Sequence, residues 1–147
     1  MKILLVEDYA VKAEYVKEFM QKEFPQMEIV HKESYNSASR EIFTNHHQYC
    51  LILLDMTMST FDVSIDEDGG NPEPIAGCNI LDGMFLRGIK TKVIVVTMYR
   101  SFDDLSLSDL HNNLLEQYPE NYAGQVSFAI DRTDWQKELK NLINSII

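Results

Sequence analysis

The chain has 147 residues, of which 13 are Lys or Arg and 23 are Asp or Glu, for a formal net charge of −10. That length suits one domain, and 45% hydrophobic against 24% charged residues is a globular balance, not a disordered one. An acidic chain lacks the clustered Lys and Arg that phosphate contacts need, which excludes nucleic acid and anionic membrane as main partners.

The first apolar run, Ile3 to Val6, is short and meets Glu7 and Asp8 at once, so no signal peptide is expected. Other runs, such as Val93–Val96, are far too short to cross a bilayer. Cys50 and Cys78 make no disulfide framework in a chain able to build a core, and reduced thiols in a cytoplasmic protein are expected. His46-His47 has no further Cys or His at ligand spacing beyond the nearby Cys50, a weak metal signal.

In chain order, Lys2–Val6 reads as a strand, and Val11, Tyr15, Val16, Phe19 and Met20 then recur at helical spacing until Pro25. Met27–His31 reads as a second strand and Ser34–Asn45 as a second helix, capped by Ser34 or Asn36. Leu51–Leu54 is a continuous apolar run, the mark of a strand covered on both faces. Cys78–Arg87 is helical with Gly88 as its C-terminal cap. Val93–Val96 is a fourth strand, and the leucines at 105–115 predict a helix. Val126–Ile130 is a fifth strand, followed by a closing helix with Trp135, Leu139, Leu142, Ile143 and Ile146 on one stripe. Strands alternating with helices predict one doubly wound α/β domain over 1–147, a parallel sheet with helices on both faces. The charge is not spread evenly: 60–76 and 101–125 each hold five acids and no Lys or Arg, and the rest of the chain sums to zero. Both stretches read as acidic insertions.

Ligands of open α/β sheets bind beyond the carboxyl ends of the strands. Glu7 and Asp8 end the first strand, Asp55 the third and Thr97 the fourth. Converging carboxylates repel unless a cation stands between them, and oxygen ligands suit Mg²⁺. A carboxylate beside Mg²⁺ can attack a phosphoryl group to form an aspartyl phosphate, and the Thr97 hydroxyl could donate to that group. Strand-end Asp and Thr also cap helices, which is the better reading of any one of them alone.

Lys2 through Asp8, Leu51 through Asp55, and Arg87 through Thr97 together make the chain resemble the receiver domain of two-component response regulators. The resemblance implies a five-stranded parallel sheet in the order 2-1-3-4-5 and Asp55 as phosphoacceptor. It implies a Mg²⁺ site formed by Glu7, Asp8, Asp55 and the backbone carbonyl of Thr57, with Asp8 a more direct ligand than Glu7. Thr97 resembles the switch hydroxyl, and Gly77 the glycine after the phosphoacceptor loop. Receivers end the fifth strand with a Lys that contacts the phosphoryl group, followed by Pro. Here Phe128-Ala129-Ile130-Asp131-Arg132 carries neither. Counting back from the closing helix puts Arg132 at the Lys position, whereas matching Phe128 to the family's aromatic puts Asp131 there. Met98 replaces a small residue, and Met58-Ser59 stands where Met-Pro is common.

The resemblance implies a response-regulator receiver in phosphorelay signalling, with no enzymatic turnover beyond self-phosphorylation and slow self-dephosphorylation. A histidine kinase or phosphotransfer protein would supply the phosphoryl group and a downstream effector protein would read it. No output domain follows the last helix, so a stand-alone receiver is expected. Two alternatives stay open. One is a phosphorylation-independent pseudo-receiver that signals by docking. The other is a phosphohydrolase of haloacid dehalogenase type, suggested by Asp55-Met56-Thr57 but placed late in the chain for that family. The stretch Ser64–Gly69 only faintly resembles a calcium loop, because Ile75 stands where the closing Glu belongs.

Overall fold

Apolar runs become five strands: β1 Lys2–Val6, β2 Glu28–Lys32, β3 Tyr49–Leu54, β4 Lys92–Thr97 and β5 Tyr122–Ser127. They form one parallel sheet in the order β2-β1-β3-β4-β5, the order expected. The structure is a computed structural model that describes residues 1–56, 76–98, 101–102 and 105–147. The acidic connector through 57–75 lies outside the described residues, as do 99–100 and 103–104. Thr57, Met58-Ser59, the Ser64–Gly69 stretch and most of the first acidic insertion therefore have no described position.

Five helices cover the sheet: α1 Ala10–Glu23, α2 Tyr35–Asn45, α3 Ala76–Leu86, α4 Leu107–Gln117 and α5 Asp134–Ile146. Strand side chains alternate between faces, which divides the core in two. Leu4, Val6, Ile52, Leu54, Val93 and Val95 pack against α2, α3 and α4. Ile3, Leu5, Leu51, Leu53, Ile94 and Val96 pack against α1 and α5. Local signals fix the helix ends. Ser34 caps α2, its hydroxyl accepting from the Ser37 backbone N–H at 3.2 Å while the Ser37 hydroxyl answers in a capping box. Gly88, at φ 68°, ends α3 in a Schellman turn with Gly88 N–H on Phe85 O and Ile89 N–H on Met84 O.

Three sequence expectations need correction. On α1, Val11 and Tyr15 face outward at 43% and 40% exposure, and the buried stripe is Lys12, Ala13, Val16, Phe19 and Met20. The fifth strand spans Tyr122–Ser127, not Val126–Ile130. It pairs with β4 alone among the described strands and alternates buried with half-buried residues, so it shows no continuous apolar run. Phe128 reads as strand because it turns into the core just past the strand end, its N–H donating to Thr97 O at 2.8 Å. The helix expected from Leu105 starts at Leu107, behind a small antiparallel pair, 101–102 with 105–106. The described part of the second acidic stretch holds α4 and the start of β5. Among the described residues no helix is long and apolar enough to cross a membrane.

Two contacts of this framework generate tests. Buried Tyr49 donates its hydroxyl to Glu41 at 2.7 Å, and with the Asn45 amide at 3.2 Å it holds the Glu41 carboxyl below its ordinary 4.5. That stabilisation is complete above 4.5 and lost as pH falls through the lowered value. Tyr49→Phe is expected to cost about 1 kcal/mol in urea unfolding at pH 7. The gap from wild type should shrink on acidification below 4.5. Gly77 is the second contact. A Cβ there would lie 2.7 Å from Met56 Sδ and 3.0 Å from the Asp55 carbonyl oxygen. Helix propensity favours Ala by about 1 kcal/mol, but crowding a packed site costs about 1–3 kcal/mol. Gly77→Ala should therefore lower the unfolding free energy by about 1 kcal/mol, read in the same urea experiment.

Candidate phosphoacceptor and metal site

Register brings the acidic residues together. Val6 pairs with Leu54, Leu54 with Val95 and Val95 with Gln125. One step further along the strands, Glu7, Asp55 and Val96 stand side by side. Side-chain alternation turns that row toward the layer of α1 and α5, where Val96 packs. Glu7 is 2% exposed and Asp55 5%, while Asp8 is half-buried. Glu7, Asp8 and Asp55 each offer an oxygen within 4.8 Å of the others, and they are the one such cluster of potential ligands among the described residues.

A cation already stands in this crevice. Lys12 is 1% exposed, and its ammonium reaches down from α1 to the row. Nζ lies 2.6 Å from Glu7 Oε1, 2.6 Å from the Val96 carbonyl oxygen and 3.6 Å from Asp55 Oδ1. The other Glu7 oxygen, Oε2, accepts from the Tyr9 backbone N–H at 3.1 Å. Burial pushes the Glu7 carboxyl from 4.5 to about 8, and the Asp55 carboxylate adds to the rise. Lys12 opposes it through its charge and its hydrogen bond, as does Tyr9 through its N–H. Sequence reasoning missed Lys12. The signal was there, since a lysine one turn before Val16 and in step with Phe19 falls on the buried stripe of α1.

The donor set fits Mg²⁺. When all three carboxyls are ionised, they and one ammonium leave a net charge of −2 to be balanced, and Mg²⁺ accepts one or two carboxylates while keeping waters. Asp8, the most open of the three, is best placed to be a direct ligand. Thr97, at the end of β4, is fully buried, and its backbone follows the Val96 carbonyl held by Lys12. Phe128 is buried beside the rings of Trp135 and Tyr15, with centroids 4.9 and 6.1 Å away. Arg132 is exposed on the loop after β5, where its carbonyl accepts from the Trp135 indole N–H at 3.1 Å. With Met98, Asp131 and Glu138 it lines a surface hollow of about 440 Å³.

No protein-family model matches the chain. It is 27% identical over 151 residues to the Detocs response regulatory protein DtcB of Enterobacter cloacae, covering 99% of this chain and all of that one. Among solved structures it resembles the signal receiver domain of a LuxO repressor protein from Vibrio parahaemolyticus. That match has a TM-score of 0.67 at 24% identity, over 98% of this chain and 87% of that one. It also resembles the response regulator protein TrrA of Thermotoga maritima, solved in complex with Mg²⁺ and BeF. There the TM-score is 0.63 at 21% identity, over 96% of this chain and 97% of that one. With the 2-1-3-4-5 sheet and the acidic crevice at its carboxyl end, these likenesses establish that the chain belongs to the receiver-domain family of response regulators.

Proposed function

We propose that the chain works in a phosphorelay, taking a phosphoryl group on Asp55 from a histidine kinase or phosphotransfer protein and signalling to a partner protein. One observation carries this reading: Glu7, Asp8 and Asp55 meet within 4.8 Å at the carboxyl end of the sheet, with Asp55 directly after β3, the middle strand of the five. Mg²⁺, when bound, neutralises charge on the incoming phosphoryl group. Glu7 and Asp8 would hold it with Asp55, and the resemblance adds the Thr57 carbonyl. The solved Mg²⁺–BeF complex of TrrA supports this use of the fold.

The chain's own residues then divide the work. Asp55, fixed by its backbone N–H on Val6 O at 3.1 Å, presents its carboxylate as nucleophile. Thr97 is the switch hydroxyl, and its backbone passes any movement to Phe128, whose N–H it accepts at 2.8 Å. Phosphate shifts the surface only through contacts that differ between the two states. Arg132, exposed on the loop after β5, would meet the donor or partner through its charge. The docking-only alternative draws on the 5% exposure of Asp55, which limits access to it.

A small acyl phosphate with Mg²⁺ is expected to add one phosphoryl group, read by intact mass. Asp55→Asn should remove that adduct while leaving the fold intact. An unchanged wild-type mass, under conditions that label a control receiver, would overturn the reading in favour of docking alone.

A further inference from the structure

We propose that the Lys12 ammonium is the cation that receives an oxygen of the phosphoryl group on Asp55. Helix α1, and not the loop after β5, then supplies the fixed positive charge of the site. This rests on the reading of Asp55 as phosphoacceptor and adds a catalytic residue to it.

An ammonium has three N–H donors. Two have short partners that fix its place, Glu7 Oε1 and the Val96 carbonyl, each at 2.6 Å. Asp55 Oδ1, at 3.6 Å, is within ion-pair reach but beyond a hydrogen bond. A phosphoryl group on Asp55 brings further charged oxygens into that gap, so the third donor can gain an acceptor closer than Asp55 Oδ1 at 3.6 Å. An interaction that strengthens as charge develops is the kind that accelerates a step. Burial adds to it, because a water-excluded ammonium acts through a lower dielectric than one on the surface. Arg132, on the loop after β5, is exposed and its field is screened.

The chemistry balances without a new proton transfer. An Asp55 carboxylate oxygen attacks phosphorus as the bond from phosphorus to the donor's leaving group breaks. The leaving group departs with the electron pair and takes its proton from solvent. Lys12 stays an ammonium throughout and only donates hydrogen bonds. Its place is also fixed by backbone: the Val96 carbonyl anchors Nζ from the strand that leads into Thr97.

The test compares wild type, Lys12→Met and Lys12→Arg with acetyl phosphate and Mg²⁺, by intact mass over time. Lys12→Met, which keeps the buried stem, is expected to label on the order of 10²-fold more slowly. Its Mg²⁺ affinity, from amide shifts without phosphodonor, should rise by about tenfold, because a charge that repels the metal has gone. A merely structural lysine would instead weaken labelling and Mg²⁺ binding together. Lys12→Arg should label more slowly than wild type, since a planar fork does not reproduce a compact ammonium. In the wild type, needing no variant, the Lys12 Cε resonance should shift on adding beryllofluoride to the Mg²⁺ form. Labelling of Lys12→Met at the wild-type rate, or an unmoved Cε while Asp55 responds, would overturn the role of Lys12 alone. Absence of labelling in wild type would overturn both readings.

Discussion

Glu7 and Asp55 occupy one row of a parallel sheet and turn toward the same layer, and like charges so placed repel unless a cation stands between them. Lys12 is that cation. Its ammonium is bonded to Glu7 and to the Val96 carbonyl, and it lies within ion-pair distance of Asp55. Three central strands are thus tied to the first helix at one atom. Removing one partner of a buried ion pair leaves the other charge uncompensated, typically at about 3–5 kcal/mol. The arrangement therefore constrains the helix and the site together.

This contact also explains how α1 sits. A helix whose inward stripe is Ala13, Val16, Phe19 and Met20 would pack on the sheet by burial alone. The ammonium adds a directional constraint at the helix's N-terminal end, where no side chain caps it. Tyr9 instead spends its backbone N–H on Glu7. The turn between β1 and α1 is consequently held by the same carboxylate that holds Lys12. On the opposite layer nothing comparable is required, because Val6, Leu54 and Val95 are apolar and pack against α2, α3 and α4.

The sequence was legible where pattern and chemistry coincide. Continuous apolar runs located β1, β3 and β4, and the acids just past β1 and β3 located the crevice. Ser34 and Gly88 announced their caps by residue type. Lys12 was not legible as a site residue, because periodicity arguments follow apolar positions and a charged residue on the buried side is passed over as noise. β5 was misplaced because Tyr122, Gly124 and Val126 alternate with more open residues along a strand paired on one side, whereas Phe128 lends an apolar look to the turn beyond. The family Lys has no match in Phe128-Ala129-Ile130-Asp131-Arg132. Its counterpart could not be found by alignment, since Lys12 approaches Asp55 from a different element, and only the fold brings the two together.

With all three carboxyls ionised, the crevice holds three carboxylates and one ammonium, a net charge of −2 that a divalent cation can offset before phosphate arrives. The most direct test is an amide NMR titration of the wild-type chain with Mg²⁺ and then beryllofluoride. The account predicts that Mg²⁺ first moves the resonances of Glu7, Asp8 and Asp55, and that beryllofluoride then moves Thr97 and Phe128. A spectrum unchanged at the ends of β1 and β3 through both additions would contradict it.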